Sequence, residues 1–191
     1  DGLYGTLHMS GKPIFQAAGS DPNIEIRFYN TPNPLKPWTI HGCLHDKYLV
    51  IDNQYLLMGG RNTFDYFLGT HKGKGVGLDR EIFIVNTGKE KDSAVGQVKQ
   101  YFQNVWNLKV CKTAFDRWSA AKRQTEIQRL LKKAQTLRIP KIDDEEITVP
   151  TKKATLVTNP THIYGKEPLV WETLKQLMLD RKSTRLNSSH E

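Results

Sequence analysis

The sequence predicts an α/β fold in which a mixed β-sheet is flanked by helices. Runs of alternating apolar and polar residues indicate strands at residues 24–29, 45–52, 54–58 and 81–85. Longer stretches that follow carry apolar residues at helical spacing. An apolar share of 38% and a charged share of 25% are typical of globular chains, so we expect a folded core.

The first predicted strand leads into a proline-rich loop, residues 30–38, that ends at Trp38. Strands 45–52 and 54–58 meet at the dipeptide Asp52-Asn53, which predicts a hairpin ending on Gly59. A loop that leads into a motif is expected to carry function.

Two helices are predicted from apolar stripes. The first stripe is expected to pack on the sheet and consists of Val95, Val98, Tyr101, Phe102, Val105 and Trp106. The second consists of Phe115, Trp118, Ile127, Leu130, Leu131, Ala134 and Leu137. A polar linker at 142–153, a strand at 154–158 and a helix from Leu169 then restart the pattern.

The net charge of +8 suits a partner that carries phosphate, either a nucleic acid or an anionic membrane surface. Part of this charge lies between Lys122 and Lys141, a pattern typical of a solvated helix face. The chain has two cysteines, and they form no C-x-x-C pair, so neither a disulfide framework nor a zinc ribbon is indicated. No stretch reaches the roughly 18 to 20 apolar residues of a membrane-spanning helix.

The residues that carry chemistry form the pattern H-x-K-x4-D at His45, Lys47 and Asp52, followed by G-G-x-N from Gly59 to Asn62. On a strand, positions i and i+2 share a face, so the imidazole of His45 and the ammonium of Lys47 point the same way. A neutral imidazole can attack phosphorus while cationic and amide groups hold the phosphate oxygens. This chemistry requires no metal and no cofactor.

Residues 44–67, LHDKYLVIDNQYLLMGGRNTFDYF, resemble the phospholipase D superfamily and in particular its bacterial cardiolipin-synthase-like branch. The similarity extends more loosely from residue 24 to residue 106. Histidine, lysine, aspartate, glycine and asparagine all lie at the family's expected offsets, so the motif is highly specific. The resemblance implies one phospholipase D-like half at residues 1–110, a helical linker at 111–152 and the start of a second half at 153–179.

By this resemblance His45 is the nucleophile, Lys47 and Asn62 bind the substrate phosphate, and Asp52 orders the site. The family also places an acid before the next strand, where it orients the nucleophile through the other ring nitrogen. Asp79 fits that position best, and Glu81 is the second choice.

Supporting roles are expected for Asp65, which closes the GGRN-x-x-D run, and for Trp38 in the proline-rich loop. Many family members carry serine or threonine where this chain has Gly60. The backbone amides of Gly59 and Gly60 are expected to replace the lost hydroxyl as phosphate ligands.

The expected reaction is transfer of a phosphatidyl group between lipid alcohols, or phospholipid hydrolysis, at a bacterial membrane surface. Two alternatives stay open: a nuclease of the same superfamily, and a phosphate-binding or membrane-surface module without turnover. A metal site at His41, Cys43 and His45 is weighed as well, but no fourth ligand lies nearby in sequence. We expect His71 and His162 to be surface residues and the loop at 71–75 to be a flexible turn.

Both ends of the sequence are expected to be non-native boundaries. Residues 180–190, DRKSTRLNSSH, read as the translation of a sequencing-library adapter, so 180–191 are excluded from the functional interpretation. The family's site takes one histidine from each of two halves. We therefore expect a second H-x-K motif beyond residue 178, and we expect the chain to be inactive unless that half or a second copy completes the site.

Overall fold

The computed structural model describes residues 5–9, 11–62, 79–88, 92–113, 118–136, 148–151, 153–159 and 168–179. Within them the strands are β1 (Phe28–Tyr29), β2 (Tyr48–Ile51), β3 (Tyr55–Gly59), β4 (Glu81–Val85) and β5 (Cys111–Lys112). The α-helices are α1 (Pro13–Gly19), α2 (Ala94–Trp106), α3 (Ala120–Ala134) and α4 (Leu169–Leu179). A π-helical turn (Gly5–Met9) and a 3₁₀ helix (Pro37–His41) complete the described elements.

The predicted α/β class is confirmed. Strands β2, β3 and β4 form one sheet in that order, and β1 pairs with β5. All strand pairs in the described ranges are antiparallel, and Gly59 at the end of β3 lies opposite Glu81 at the start of β4. The division into a first half, a linker and a second half stays a prediction.

The β2–β3 hairpin closes through a tight turn. Asp52 and Asn53 have positive φ angles of 51° and 56°, and the amide of Gln54 donates to the carbonyl of Ile51 at 3.0 Å. These are the features of a type I′ turn, whose twist matches that of the paired strands. Asparagine and aspartate tolerate this left-handed backbone better than most residues, which explains the Asp-Asn pair.

Strand β2 is shorter than predicted, because it begins at Tyr48 rather than at His45. A single backbone hydrogen bond extends the pairing by one residue, from the amide of Gly59 to the carbonyl of Lys47 at 3.2 Å. His45 and Lys47 therefore lie in the segment that enters the strand.

The core forms where α2 packs on one face of the three-stranded sheet. Leu56 from β3 contacts Val95 and Val98 from α2, and all three are at most 2% exposed. Five partly buried side chains surround them: Tyr48, Val50, Met58, Ile84 and Leu156. The predicted apolar stripe of α2 is confirmed for its valines. It is wrong for Phe102, which is 42% exposed at the edge of the sheet, where its ring lies against the rings of Tyr48 and Trp106.

The predicted strand at 24–29 is reduced to Phe28–Tyr29, which pairs with the two residues of β5, and Arg27 before it contacts α2. Its guanidinium donates to the carbonyl of Trp106 at 2.9 Å and lies 4.6 Å from the centre of that ring. Asn30 follows the strand, and its amide donates to the carbonyls of Thr39 and Gly42 at 2.6 and 2.7 Å. Asn30 thereby anchors the proline-rich loop that leads to His45.

The predicted strand at 154–158 is wrong, since the structure has no strand there. The amide of Leu156 donates to the side chain of Gln97 at 2.8 Å instead of to a neighbouring strand. The helix predicted from the stripe between Phe115 and Leu137 is observed as α3, which is shorter (Ala120–Ala134) and packs against α1; Phe115 and Leu137 lie outside the described residues. The helix predicted from Leu169 is confirmed. No helix in the described ranges has both the length and the apolar character to cross a bilayer.

We predict that Leu56→Ala lowers the free energy of unfolding by about 2–5 kcal/mol, because it leaves a cavity between the sheet and α2. The matched control is Leu49→Ala on β2, where the side chain is 54% exposed. That change should stay within about 0.5 kcal/mol of the parent. Denaturant titration of both variants checks this, and equal losses would contradict the assignment of the core face.

Candidate active site

The antiparallel sheet brings the motif residues together at one end. The start of β2, the end of β3 and the start of β4 lie side by side, because Tyr48 pairs with Met58 and Gly59 pairs with Glu81. His45 and Lys47 precede β2, Asn62 follows β3, and Asp79 precedes β4. The segments that carry these residues therefore lie at one end of the sheet, and the roles predicted for the residues stay predictions.

A cavity of about 520 Å³ opens beside His45. Its near wall is the segment from Cys43 to Tyr48, and its floor includes Met58 and Gly59 from β3. The far wall comes from residues that sequence reasoning missed as site residues: Tyr101 from α2, the segment 156–159, and Val170 from α4. Their sequence separation from the motif is large, so no local pattern reveals them.

Lys47 is held beside the nucleophile candidate. Its ammonium donates to the backbone carbonyl of His45 at 2.6 Å. The His45 side chain is exposed and that of Lys47 is half-buried, so both are accessible from the cavity that they line. This arrangement places a cation within reach of an anion that meets the imidazole.

Asp46, between these two residues, is bound to helix α2. The hydroxyl of Tyr101 donates to Oδ2 of Asp46 at 2.5 Å. Burial raises the pKa of Tyr101 above its usual 10.0, and the hydrogen bond to Asp46 raises it further. Burial, and secondarily the charge of Asp46, raises the pKa of Tyr48 to about 12. Both phenols therefore stay protonated at neutral pH.

The two glycines allow β3 and β4 to approach closely at the site. A Cβ at position 59 would lie 2.6 Å from Cγ of Glu81 and 3.2 Å from the carbonyl oxygen of Arg80. A Cβ at position 60 would lie 3.0 Å from Oδ2 of Asp79. The carboxylate of Asp79 therefore occupies the space that a side chain at position 60 would need, which accounts for Gly60.

The structure does not bring either predicted acid to the ring of His45. Asp79 accepts from the backbone amide of Arg80 at 2.8 Å, and Glu81 forms an ion pair with Arg61 at 3.7 Å. Strand β3 lies between β2 and β4, so two strand spacings of about 4.8 Å separate the acids from the segment of His45. Among the hydrogen bonds of the described residues, none joins Asp79 or Glu81 to His45.

Asp52 lies at the opposite end of the sheet. Seven residues of near-extended chain correspond to about 23 Å between it and His45. Asp52 lines other grooves, at the hairpin turn, and is absent from the cavity wall. Its positive φ makes it a turn residue, so the geometry does not support a direct role in ordering the catalytic groups.

The remaining predicted residues have separate positions. Trp38 is 63% exposed on the 3₁₀ helix and does not line the cavity. Asp65, His71, His162 and residues 180–191 lie outside the described residues. Across the ranges that the structure describes, no three His, Cys, Asp or Glu side chains are grouped closely enough to hold a metal ion.

Three comparisons were made, with protein-family models, with curated proteins and with solved structures, and none of them returned a match to this chain.

We predict that Asp52→Asn is tolerated in both stability and activity, because asparagine also adopts the left-handed backbone. Asp52→Val should lower the free energy of unfolding by about 1–2 kcal/mol, since a β-branched residue clashes at positive φ. Thermal unfolding of the two variants checks the difference. Loss of turnover in a fully folded Asp52→Asn variant would instead show that the carboxylate itself serves the site.

Proposed function

We propose that this protein is a phosphodiester-cleaving transferase or hydrolase of the phospholipase D superfamily, with His45 as its nucleophile. One observation carries the proposal. His45 and Lys47 line one cavity of about 520 Å³, at the end of the sheet where Asn62 follows β3. An imidazole and an ammonium can attack and hold a phosphate, whereas the amide of Gly59 already donates to the carbonyl of Lys47.

The reaction has two steps. A lone pair on a ring nitrogen of His45 forms an N–P bond, and the P–O bond to the leaving alcohol breaks. Water or a second alcohol then attacks the phosphohistidine, so that the N–P bond breaks and the imidazole is released. Lys47 stabilises the charge that develops on the non-bridging oxygens in both steps.

The leaving oxygen must receive a proton, and the attacking oxygen must later lose one. A second histidine serves both needs, and it comes from a second equivalent half or from a second copy of this chain. Among the described residues, His45 is the only histidine that lines the cavity, which supports a second histidine from a second half or copy. Activity per chain should therefore rise with protein concentration if two copies supply the two histidines.

The proposed substrate is a phospholipid at a membrane surface. The GGRN-x-x-D run resembles the lipid-acting branch, and Trp38 is exposed, as an aromatic residue at headgroup depth would be. The second candidate is a nuclease of the same superfamily. It is favoured by the net charge of +8, which suits a polyanionic strand.

We predict that His45→Asn in the full-length protein abolishes turnover of a phosphodiester without unfolding it, because the exposed imidazole contributes little packing. Lys47→Ala should lower kcat by about 10²–10³-fold, the usual effect of losing one charge-stabilising group. The matched control is His41→Asn, an exposed histidine outside the cavity wall, which should retain activity. A His45→Asn rate within about tenfold of the parent, a barrier change near 1.4 kcal/mol, would remove His45 from this role.

The substrate class is tested with vesicles that contain phosphatidylglycerol and, separately, with single- and double-stranded DNA. We expect a two-phosphate lipid from the vesicles, detected by chromatography of the extracted lipids, and intact DNA. Cleavage of DNA that a chelator does not inhibit, with unchanged phospholipid, would replace the lipid proposal by the nuclease. Phosphate binding without turnover on either substrate would favour the non-catalytic module.

A further inference from the structure

We propose that Asp46 and Tyr101 form a positioning pair that fixes the orientation of His45 and Lys47 in the cavity. The inference rests on the proposed roles of His45 and Lys47. It adds two residues that touch neither the phosphate nor the leaving group and that act through the backbone of the motif.

The segment that carries the nucleophile has little support of its own. Within the described parts of the chain, no hydrogen bond between backbone groups holds residues 43–46, and the pairing with β3 begins only at Lys47. An extended segment without a ladder is free to rotate about its φ and ψ angles. A side-chain contact is therefore needed to fix the direction of the imidazole.

Asp46 supplies that contact at the right place. It lies directly between His45 and Lys47, so fixing its Cα and side chain constrains the peptide planes on both sides. Asp46 and Tyr101 line the same cavity as His45 and Lys47, so their contact lies beside the groups that it positions. The hydroxyl of Tyr101 is the donor that binds it, at 2.5 Å.

Tyr101 belongs to the helix that packs on the core. Its helix, α2, buries Val98 and Val105 at 1% and 6% exposure on either side of Tyr101 in sequence. The Tyr101 ring also meets the ring of Tyr48 edge-on, with centroids 6.2 Å apart, and Tyr48 is the first residue of β2. The pair thus connects the motif to both the helix and the sheet.

The protonation states support a lasting hydrogen bond. Burial and the bond to Asp46 raise the pKa of Tyr101, so its hydroxyl remains a donor throughout the neutral range. A bond between a phenol and a carboxylate is charge-assisted and stronger than one between neutral groups.

The first test is Tyr101→Phe, which removes the hydroxyl and retains the ring. With bis(p-nitrophenyl) phosphate as probe, kcat should fall by about 10²-fold, the cost of misplacing a reacting group by about 1 Å. KM should change by less than about twofold, since the pair does not bind substrate. The matched control is Tyr55→Phe, whose ring stacks on Phe83 on the other face of the sheet, and it should retain full activity.

A conservative variant that keeps the hydrogen bond distinguishes a positioning role from a general loss of stability. Asp46→Asn retains an oxygen that accepts from Tyr101, so its kcat should stay within about threefold of the parent, because neutral bonds are weaker than charge-assisted ones but keep the geometry. Asp46→Ala should match Tyr101→Phe. The double variant Asp46→Ala, Tyr101→Phe should be no slower than either single variant, since one interaction is lost in all three.

The contact itself is tested without turnover, by near-ultraviolet absorbance during an alkaline titration. Asp46→Ala should lower the pKa of Tyr101 most, because both the hydrogen bond and the charge of Asp46 are lost, and that of Tyr48 and Tyr29 less, because only the charge is lost. Comparison with the double variant Tyr101→Phe, Asp46→Ala isolates the contribution of Tyr101. An unchanged titration would show that the pair does not form in solution and would overturn the proposal.

The two proposals fail in different ways. If His45→Asn is inactive while Tyr101→Phe equals the parent, the nucleophile stands and the positioning pair is wrong. If Tyr101→Phe lowers only thermal stability, with kcat per folded molecule unchanged, the pair is structural and the proposal is again wrong. If the protein with a completed site, either the full-length parent or paired copies of this chain, shows no His45-dependent turnover, the proposed function itself is overturned, and the positioning role falls with it.

Discussion

The register of the β2–β3–β4 sheet is the constraint on which the site depends. The type I′ turn at Asp52 and Asn53 fixes which residues of β2 and β3 lie opposite each other. A slip of one residue would turn every side chain of a strand to the other face, which would take Leu56 out of the core. It would also separate Lys47 from Gly59, whose amide it now binds. The turn thus determines which residues of β2 and β3 lie together at the cavity, although it lies at the opposite end of the sheet.

At the end of the sheet that carries the cavity, three acidic side chains already have a hydrogen-bond or ion-pair partner. Asp46 accepts from Tyr101, Asp79 from the amide of Arg80, and Glu81 pairs with Arg61. Surface ion pairs contribute little to the free energy of unfolding. The main effect of these contacts is therefore on the electrostatic potential near the cavity. An approaching phosphate meets carboxylates that are bound to donors, and it meets the ammonium of Lys47 beside His45.

Sequence spacing predicted the parts of this site that are local. Periodicity and turn chemistry predict the hairpin and the valine stripe of α2. They also predict that the segments of His45, Lys47 and Asn62 lie at one end of the sheet. The roles of Tyr101 and of residues 156–159 depend on how α2 packs over the sheet, and no short-range pattern records that packing. The strand predicted at 154–158 failed for the same reason, because the side chain of Gln97 takes the hydrogen bond that a ladder would make.

The far wall of the cavity is anchored as firmly as the near wall. Leu156 packs on the core and binds Gln97, and the side chain of Asn159 accepts from the amide of Val170 in the first turn of α4. That amide belongs to the group of helix-terminal donors that have no partner within the helix, so Asn159 satisfies it. Each wall is therefore held by side-chain contacts to α2 or α4. Walls that are held in this way reduce the ordering that a ligand would have to impose when it binds.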